Sequence, residues 1–176
     1  MNAALRPMVV MGVSGSGKSV LGAALGQSLG IAFIDADDLH PASNKALMAA
    51  GTPLTDEDRI PWLDVVAKTI AKGASDGRPC VVACSALKRS YRDRLRSQVP
   101  DLVLVYIDGE ADIIAHRLET REHEFMPATL LASQLATLEP PEADEAHLRV
   151  PAELTVEEAV ALVRNTINVP VPAHQP

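Results

Sequence analysis

The octapeptide Gly12-Val13-Ser14-Gly15-Ser16-Gly17-Lys18-Ser19, a complete GxxxxGKS, constrains this chain more than any other feature. It follows the apolar run Met8-Val9-Val10-Met11 and opens a helix-like segment from Lys18 to about Leu29, which is the strand–turn–helix context the motif requires. Gly12, Gly15 and Gly17 let the backbone curl, so that successive N–H groups can point inward at phosphate oxygens. The start of the following helix adds its positive end. Lys18 can reach the β- and γ-phosphates of a nucleoside triphosphate, and the Ser19 hydroxyl can ligate Mg²⁺. The bland alternative is a glycine turn with a chance Lys-Ser, and the flanking strand and helix argue against it.

Apolar runs alternate with helix-like segments along the 176 residues, which argues for one α/β domain built on a parallel sheet. Five strands are expected, at residues 8–11, 31–34, 80–83, 102–107 and 147–150, giving a five-stranded sheet flanked by helices on both faces. Helices are expected at 18–29, 42–50, 127–138 and 155–167. Leu87, Tyr91 and Leu95 form one stripe of another, and Ile113, Ile114 and Leu118 belong to a further one. Thr55 and Asp58 have capping-box spacing ahead of Ile60, Leu63, Ala67 and Ile70, although Pro61 leaves that helix start open. Residues 1–168 read as a single domain, and 169–176, with three prolines, as a loose tail.

Aromatics make up only 3% of the chain, so the core must be aliphatic. A net charge of −7 argues against a nucleic-acid or membrane-surface binder, yet leaves room for a small anion held by a local positive cluster. The longest uncharged run, from Ser19 to Ile34, is too short and polar to span a bilayer, and the N-terminal apolar stretch, broken at Gly12, makes no signal peptide. Cys80 and Cys84 lie roughly 13 Å apart on one strand, too far for a disulfide. Two lone thiols fit a reducing, cytoplasmic location.

Asp35 and Asp37 fall at the carboxyl end of the second strand, expected beside the first, where open parallel sheets bind ligands. If the strand pleat continues, they point the same way. Asp35 is then assigned to the Mg²⁺ water shell and Asp37 to an acceptor hydroxyl. The alternative for both is a solvated acidic turn. Asp108, closing the run Leu104–Ile107, competes for the metal. Segment 87–96 carries Lys88, Arg89, Arg92, Arg94 and Arg96 against Asp93, a local charge of +4. Lys88 and Arg92 share a helix face that suits an anionic acceptor, whereas Arg89, Arg94 and Arg96 read as an outer charged face. Arg117 and Arg121, ahead of Glu122-His123-Glu124-Phe125, can close over a transferring phosphoryl group. His40 reads as a turn or packing residue, and no His/Cys cluster suggests zinc. No Asp is followed by Gly three residues later, and Asn44-Lys45-Ala46-Leu47 lacks a final Asp, so a GTPase is excluded. A small-molecule or nucleotide kinase of minimal size remains.

The phosphate loop taken with Asp35-Ala36-Asp37-Asp38-Leu39-His40-Pro41, residues 51–63, residues 84–96 and Gln134-Leu135-Ala136-Thr137-Leu138-Glu139-Pro140-Pro141 resembles the gluconokinases of the P-loop kinase superfamily. The resemblance spans about residues 8 to 168. It implies ATP-dependent phosphorylation of D-gluconate at its 6-hydroxyl, with Mg²⁺, in a P-loop kinase fold similar to shikimate and nucleoside monophosphate kinases. It implies Lys18, Asp37, Arg117 and Arg121 as catalytic residues and a small lid near 117–127. Asp37, His40, Arg59, Lys88 and Arg92 are implied for the acceptor, Ser19 and Asp35 for the metal, and a homodimer is common among members. Two departures stand out: Ala36 replaces the usual Gly, which matters only where the backbone needs φ > 0, and Glu122-His123-Glu124-Phe125 replaces a usual x-Gly-His-Phe. The runner-up readings are a kinase of another carboxylated metabolite, shikimate-like, and a non-catalytic module responsive to ATP or gluconate.

Overall fold

A computed structural model describes residues 5–119 and 128–167. The apolar runs become short buried strands and the amphipathic segments become helices. In chain order these are β1 (Met8–Met11), α1 (Lys18–Leu29), β2 (Ala32–Asp35), a 3₁₀ turn (Ala36–Leu39), α2 (Ala42–Ala49), α3 (Asp56–Ser75), β3 (Cys80–Ala83), α4 (Arg89–Gln98), β4 (Val103–Asp108), α5 (Ala111–Glu119), α6 (Ala128–Thr137), β5 (His147–Pro151) and α7 (Val156–Ile167). The five strands are parallel, in the order β2-β3-β1-β4-β5. This corrects the expectation that β2 lies beside β1. The β1–α1–β2 crossover skips one place in the sheet, and α3 returns the chain so that β3 fills it. The carboxyl ends of β1 and β2 are thus two strand spacings apart, roughly 10 Å, with the residues after β3 between them.

Each face of the sheet has its own aliphatic core, as both-sided helix packing requires. On one face Val9, Val82 and Leu104 pack against Leu63, Val66, Ile70 and Leu95 of α3 and α4. On the other Val10, Val81 and Val105 pack against Leu21, Leu25, Ala159 and Val163 of α1 and α7. Gly22 lets α1 lie close to β2, because a Cβ there would come within 2.5 Å of the Phe33 ring. A third cluster joins Val13 of the phosphate loop to Leu87, Ile114 of α5 and Leu131 of α6. Thr55 and Asp58 cap α3 reciprocally, as their spacing implied, and the helix runs on through Pro61. Thr155 and Glu158 make the matching cap on α7.

Candidate active site

The phosphate loop leaves β1 at Gly12, where φ is +149° and a Cβ would lie 3.0 Å from the Ile107 carbonyl oxygen. It enters α1 through Gly17 at φ +97°, so the first N–H groups of α1 face the loop's interior. Three of its amides are fixed on protein acceptors. Gly12 N donates to Ser85 O at 3.3 Å, Ser16 N to Val13 O at 3.2 Å, and Ser14 N to Gln134 Oε1 at 2.6 Å. Lys18 Nζ donates to the Val13 carbonyl at 3.0 Å, which holds its ammonium across the loop. Among the described residues, Ser16 Oγ is the buried side-chain polar atom with no hydrogen-bond partner, and it sits within this loop.

Ser19 Oγ donates to Asp35 Oδ2 at 2.7 Å, joining the two residues expected at the metal. The other oxygen, Asp35 Oδ1, accepts from Asp37 N at 3.0 Å, so Asp35 ends β2 and caps the 3₁₀ turn. The pleat therefore stops at Asp35, which corrects the reading that it carries on to Asp37. The two residues are related by a turn, with the Asp35 carboxylate against Ser19 of α1 and capping the amide of Asp37. Ala36 does not have a positive φ, and its carbonyl accepts from Trp62 Nε1 at 2.7 Å, so alanine fits where the resemblance implies glycine.

His40 stacks on Trp62 with ring centroids 4.1 Å apart. Asn44 Nδ2 donates both to the Asp58 carbonyl and to His40 Nδ1, which leaves the histidine proton on Nε2. Burial, then the charges of Arg59 and Lys45, hold His40 below the usual imidazole range, which favours the neutral ring. Arg59 of α3 and Lys88 at the start of α4 flank the Tyr91 ring at 5.9 and 5.6 Å. Asp56 binds this pair together: it takes Lys88 Nζ at 2.7 Å, the Tyr91 hydroxyl, and Arg59 at 3.8 Å. The Lys88 hydrogen bond, then that of Tyr91, keep Asp56 below the ordinary carboxylate range. Burial and Asp56 push Tyr91 up.

Arg92 is a correction. It is fully buried, and its fork makes two bonds to Glu145, at 2.8 and 2.9 Å, and others to the carbonyls of Ala86, Leu87 and Glu139. Glu139 and Glu145 lie in the loop before β5 and Ala86 and Leu87 in the turn before α4, so Arg92 clamps these two segments to α4 rather than reaching an acceptor. Arg89 and Arg96 join the same carboxylate or its neighbours, and Arg94 forks onto Asp64. Burial would raise Glu145, but Arg92 and Arg96 outweigh it and bring it down to about 2. The +4 segment is thus neutralised by acids from elsewhere in the chain. Asp108 is also drawn away from any metal, by Arg149 and by the Tyr106 hydroxyl at 3.2 Å.

Arg117 does reach the phosphate loop: its guanidinium donates to the Ser16 carbonyl at 3.3 Å and to that of Ala152. A cavity of about 310 Å³ opens beside it, lined by Gly17 of the phosphate loop and by Val150, Pro151, Ala152 and Leu154. Arg121, the loop 122–125 and most of the expected lid at 117–127 lie outside the described residues. Cys84, beside the site, is inert, because burial pushes its thiol up to about 12; Cys80 and Cys84 are both free, as their spacing implied. Four residues here had no assigned role from the sequence. Asp56 was hidden in a capping stretch and Tyr91 in an apolar stripe, while Gln134 and Glu145 make their contacts only through the fold.

A family described as an AAA domain matches residues 8–141. The chain is 47% identical to the gluconokinase of Gluconobacter oxydans over 148 residues, covering 84% of this chain and 83% of the relative. It is 43% identical to a probable gluconokinase of Mus musculus over 177 residues, covering 91% and 96%. The crystal structure of a gluconokinase from Sinorhizobium meliloti superposes with a TM-score of 0.84 at 42% identity, covering 96% of this chain and 98% of that one.

Proposed function

The chain belongs to the gluconokinase family, with a P-loop kinase fold, and on that premise we propose that it moves the γ-phosphoryl group of ATP to the 6-hydroxyl of D-gluconate, giving 6-phosphogluconate and ADP. The observation that carries the assignment of roles is the chain of contacts Ser19–Asp35–Asp37, at 2.7 and 3.0 Å, which runs from the phosphate loop to the acceptor side. The phosphates enter the loop, where the α1 N-terminus and Lys18 meet negative charge as it builds in the transition state. The unpartnered Ser16 hydroxyl fits a site that expects a polar ligand. The adenine ring takes the cavity of about 310 Å³, and Arg117 lies on its rim.

A hydroxyl beside a carboxylate at the start of α1 fits a hard cation that keeps most of its waters. Mg²⁺ would be held by Ser19 Oγ, and through water by Asp35, and when bound it neutralises charge between the β- and γ-phosphates. On the acceptor side, Arg59 and Lys88 offer positive charge to the gluconate carboxylate, which displaces part of Asp56's hold on them. Tyr91 lies between them for a sugar hydroxyl. The far end of the acceptor then reaches Asp37, which orients the 6-hydroxyl in line and accepts its proton as the oxygen–phosphorus bond forms and the β–γ bridge breaks. Arg121 is assigned with Arg117 to the phosphoryl group on the resemblance alone.

Neither a shikimate-like acceptor nor a non-catalytic module is favoured by the relatives. Among the described residues no helix is long and apolar enough to cross a membrane. A cytoplasmic location and a homodimer complete the proposal. The test is formation of 6-phosphogluconate, read by coupling to 6-phosphogluconate dehydrogenase, which accepts phosphate only on the 6-position. ATP-dependent NADPH production with gluconate is expected. ADP release without NADPH would refute the position, and no ADP release would refute the reaction.

A further inference from the structure

Gln134 belongs to a sequence block that marks the family resemblance, yet the proposed reaction gives it no part. Its carboxamide grips Ser14 at two points. Oε1 accepts from Ser14 N at 2.6 Å, and Nε2 donates to Ser14 Oγ at 2.9 Å. Leu131, one turn back on α6, and Leu135, the next residue, pack in the cluster that contains Val13, the residue before Ser14. The outer turn of the phosphate loop is thus held on α6 by one apolar contact and one two-point polar clasp.

The direction of the effect follows from the loop's other amides. Gly12 N and Ser16 N are turned onto the Ser85 and Val13 carbonyls, so the Ser14 amide is the third of an alternating set aimed at the protein. Fixing these three amides on protein acceptors holds the loop in one shape, with its other N–H groups left to the interior, where phosphate binds. Gln134 does not compete with the nucleotide; it braces the loop in its receiving shape. The far end of α6 is itself anchored, because Glu139 N donates to the Leu87 carbonyl and Arg92 Nη1 to Glu139 O, both at 2.9 Å. The brace therefore stands on a fixed base.

We propose that Gln134 is a positioning residue for the nucleotide, a strut through which α6 sets the outer turn of the phosphate loop. This rests on the reading of residues 12–19 as the ATP site, and the experiment separates the two. Binding of N-methylanthraniloyl-ADP with Mg²⁺ is titrated by fluorescence for the full chain, Gln134→Leu, Ser14→Ala and the double variant. Two hydrogen bonds lost from a part-buried site predict about tenfold weaker binding for Gln134→Leu. Ser14→Ala, which removes only the hydroxyl bond, should cost about threefold by the same scale. In the Gln134→Leu background, Ser14→Ala should cost nothing more, because its partner is gone. The KM for gluconate and the Tm should stay near wild type. Unchanged nucleotide binding in Gln134→Leu overturns the proposal. So does a Ser14→Ala cost that is equal in both backgrounds, since the glutamine would then act through helix packing alone. A wild-type chain that binds nucleotide but makes no 6-phosphogluconate refutes the acceptor reading and leaves the strut measured. One that binds no nucleotide overturns both.

Discussion

Replacing Arg92 by Met separates a clamp from an acceptor ligand. The side chain is fully buried and bonds the Glu145 carboxylate twice, with further bonds to three carbonyl oxygens. Removing one partner of a buried ion pair costs about 3–5 kcal/mol, mostly through the charge left behind. Here Glu145 keeps Arg96 at 2.6 Å and the amide of Glu142 at 3.0 Å, so the cost falls at the lower end, about 3 kcal/mol. For a chain of this length that is a fall in Tm of about 6–12 °C. Thermal unfolding followed by circular dichroism reads it directly. Steady-state kinetics below the transition should give a gluconate KM close to wild type, because Arg92 is fully buried on Glu145 and backbone carbonyls. An unchanged Tm with a raised gluconate KM would refute the clamp and return Arg92 to the acceptor site.

Lys18→Ala should keep the native circular dichroism spectrum while kcat falls by about 10²–10³, the usual cost of one such electrostatic stabiliser. Asp37→Asn should lower kcat by about 10²–10⁴ with ATP binding intact, whereas Asp35→Asn should raise the Mg²⁺ needed for half-maximal rate. Kinetics over a Mg²⁺ series that show the opposite pattern would exchange the two roles. Glu145 titrates at about 2 in the folded chain against an ordinary 4.5, so its ion pairs stabilise the fold fully above about pH 4.5. That contribution, about 3 kcal/mol, should drain away as pH falls from 4.5 toward 2, and Tm measured from pH 6 to 3 should show a steeper acid loss in wild type than in Arg92→Met.

The parts of the site that were legible in the sequence are those written in short spans. The phosphate loop, the Thr55–Asp58 cap and the strand ends needed only neighbours in the chain, and strands such as β1 and β3 lie where their apolar runs placed them. The sheet order was not legible, because nothing local says that β3 enters between β1 and β2. The same holds for charge. Arg92 looked like a cleft cation until Glu145, 53 residues away, was brought onto it, and Gln134 meets Ser14 across 120 residues. The pleat that would have aligned Asp35 with Asp37 failed for a local reason, since an Asp side chain readily captures the amide two residues on. Ala86, buried at φ +45°, was equally hidden; its carbonyl takes Arg92, so the clamp holds it there.

The most direct test of the account is a crystal structure with a non-hydrolysable ATP analogue, Mg²⁺ and D-gluconate. Gluconate should lie with its carboxylate against Arg59 and Lys88 and its 6-hydroxyl within hydrogen-bond reach of Asp37, in line with the γ-phosphorus above Lys18. A gluconate carboxylate seated on Arg92, or a 6-hydroxyl turned away from Asp37, would contradict it.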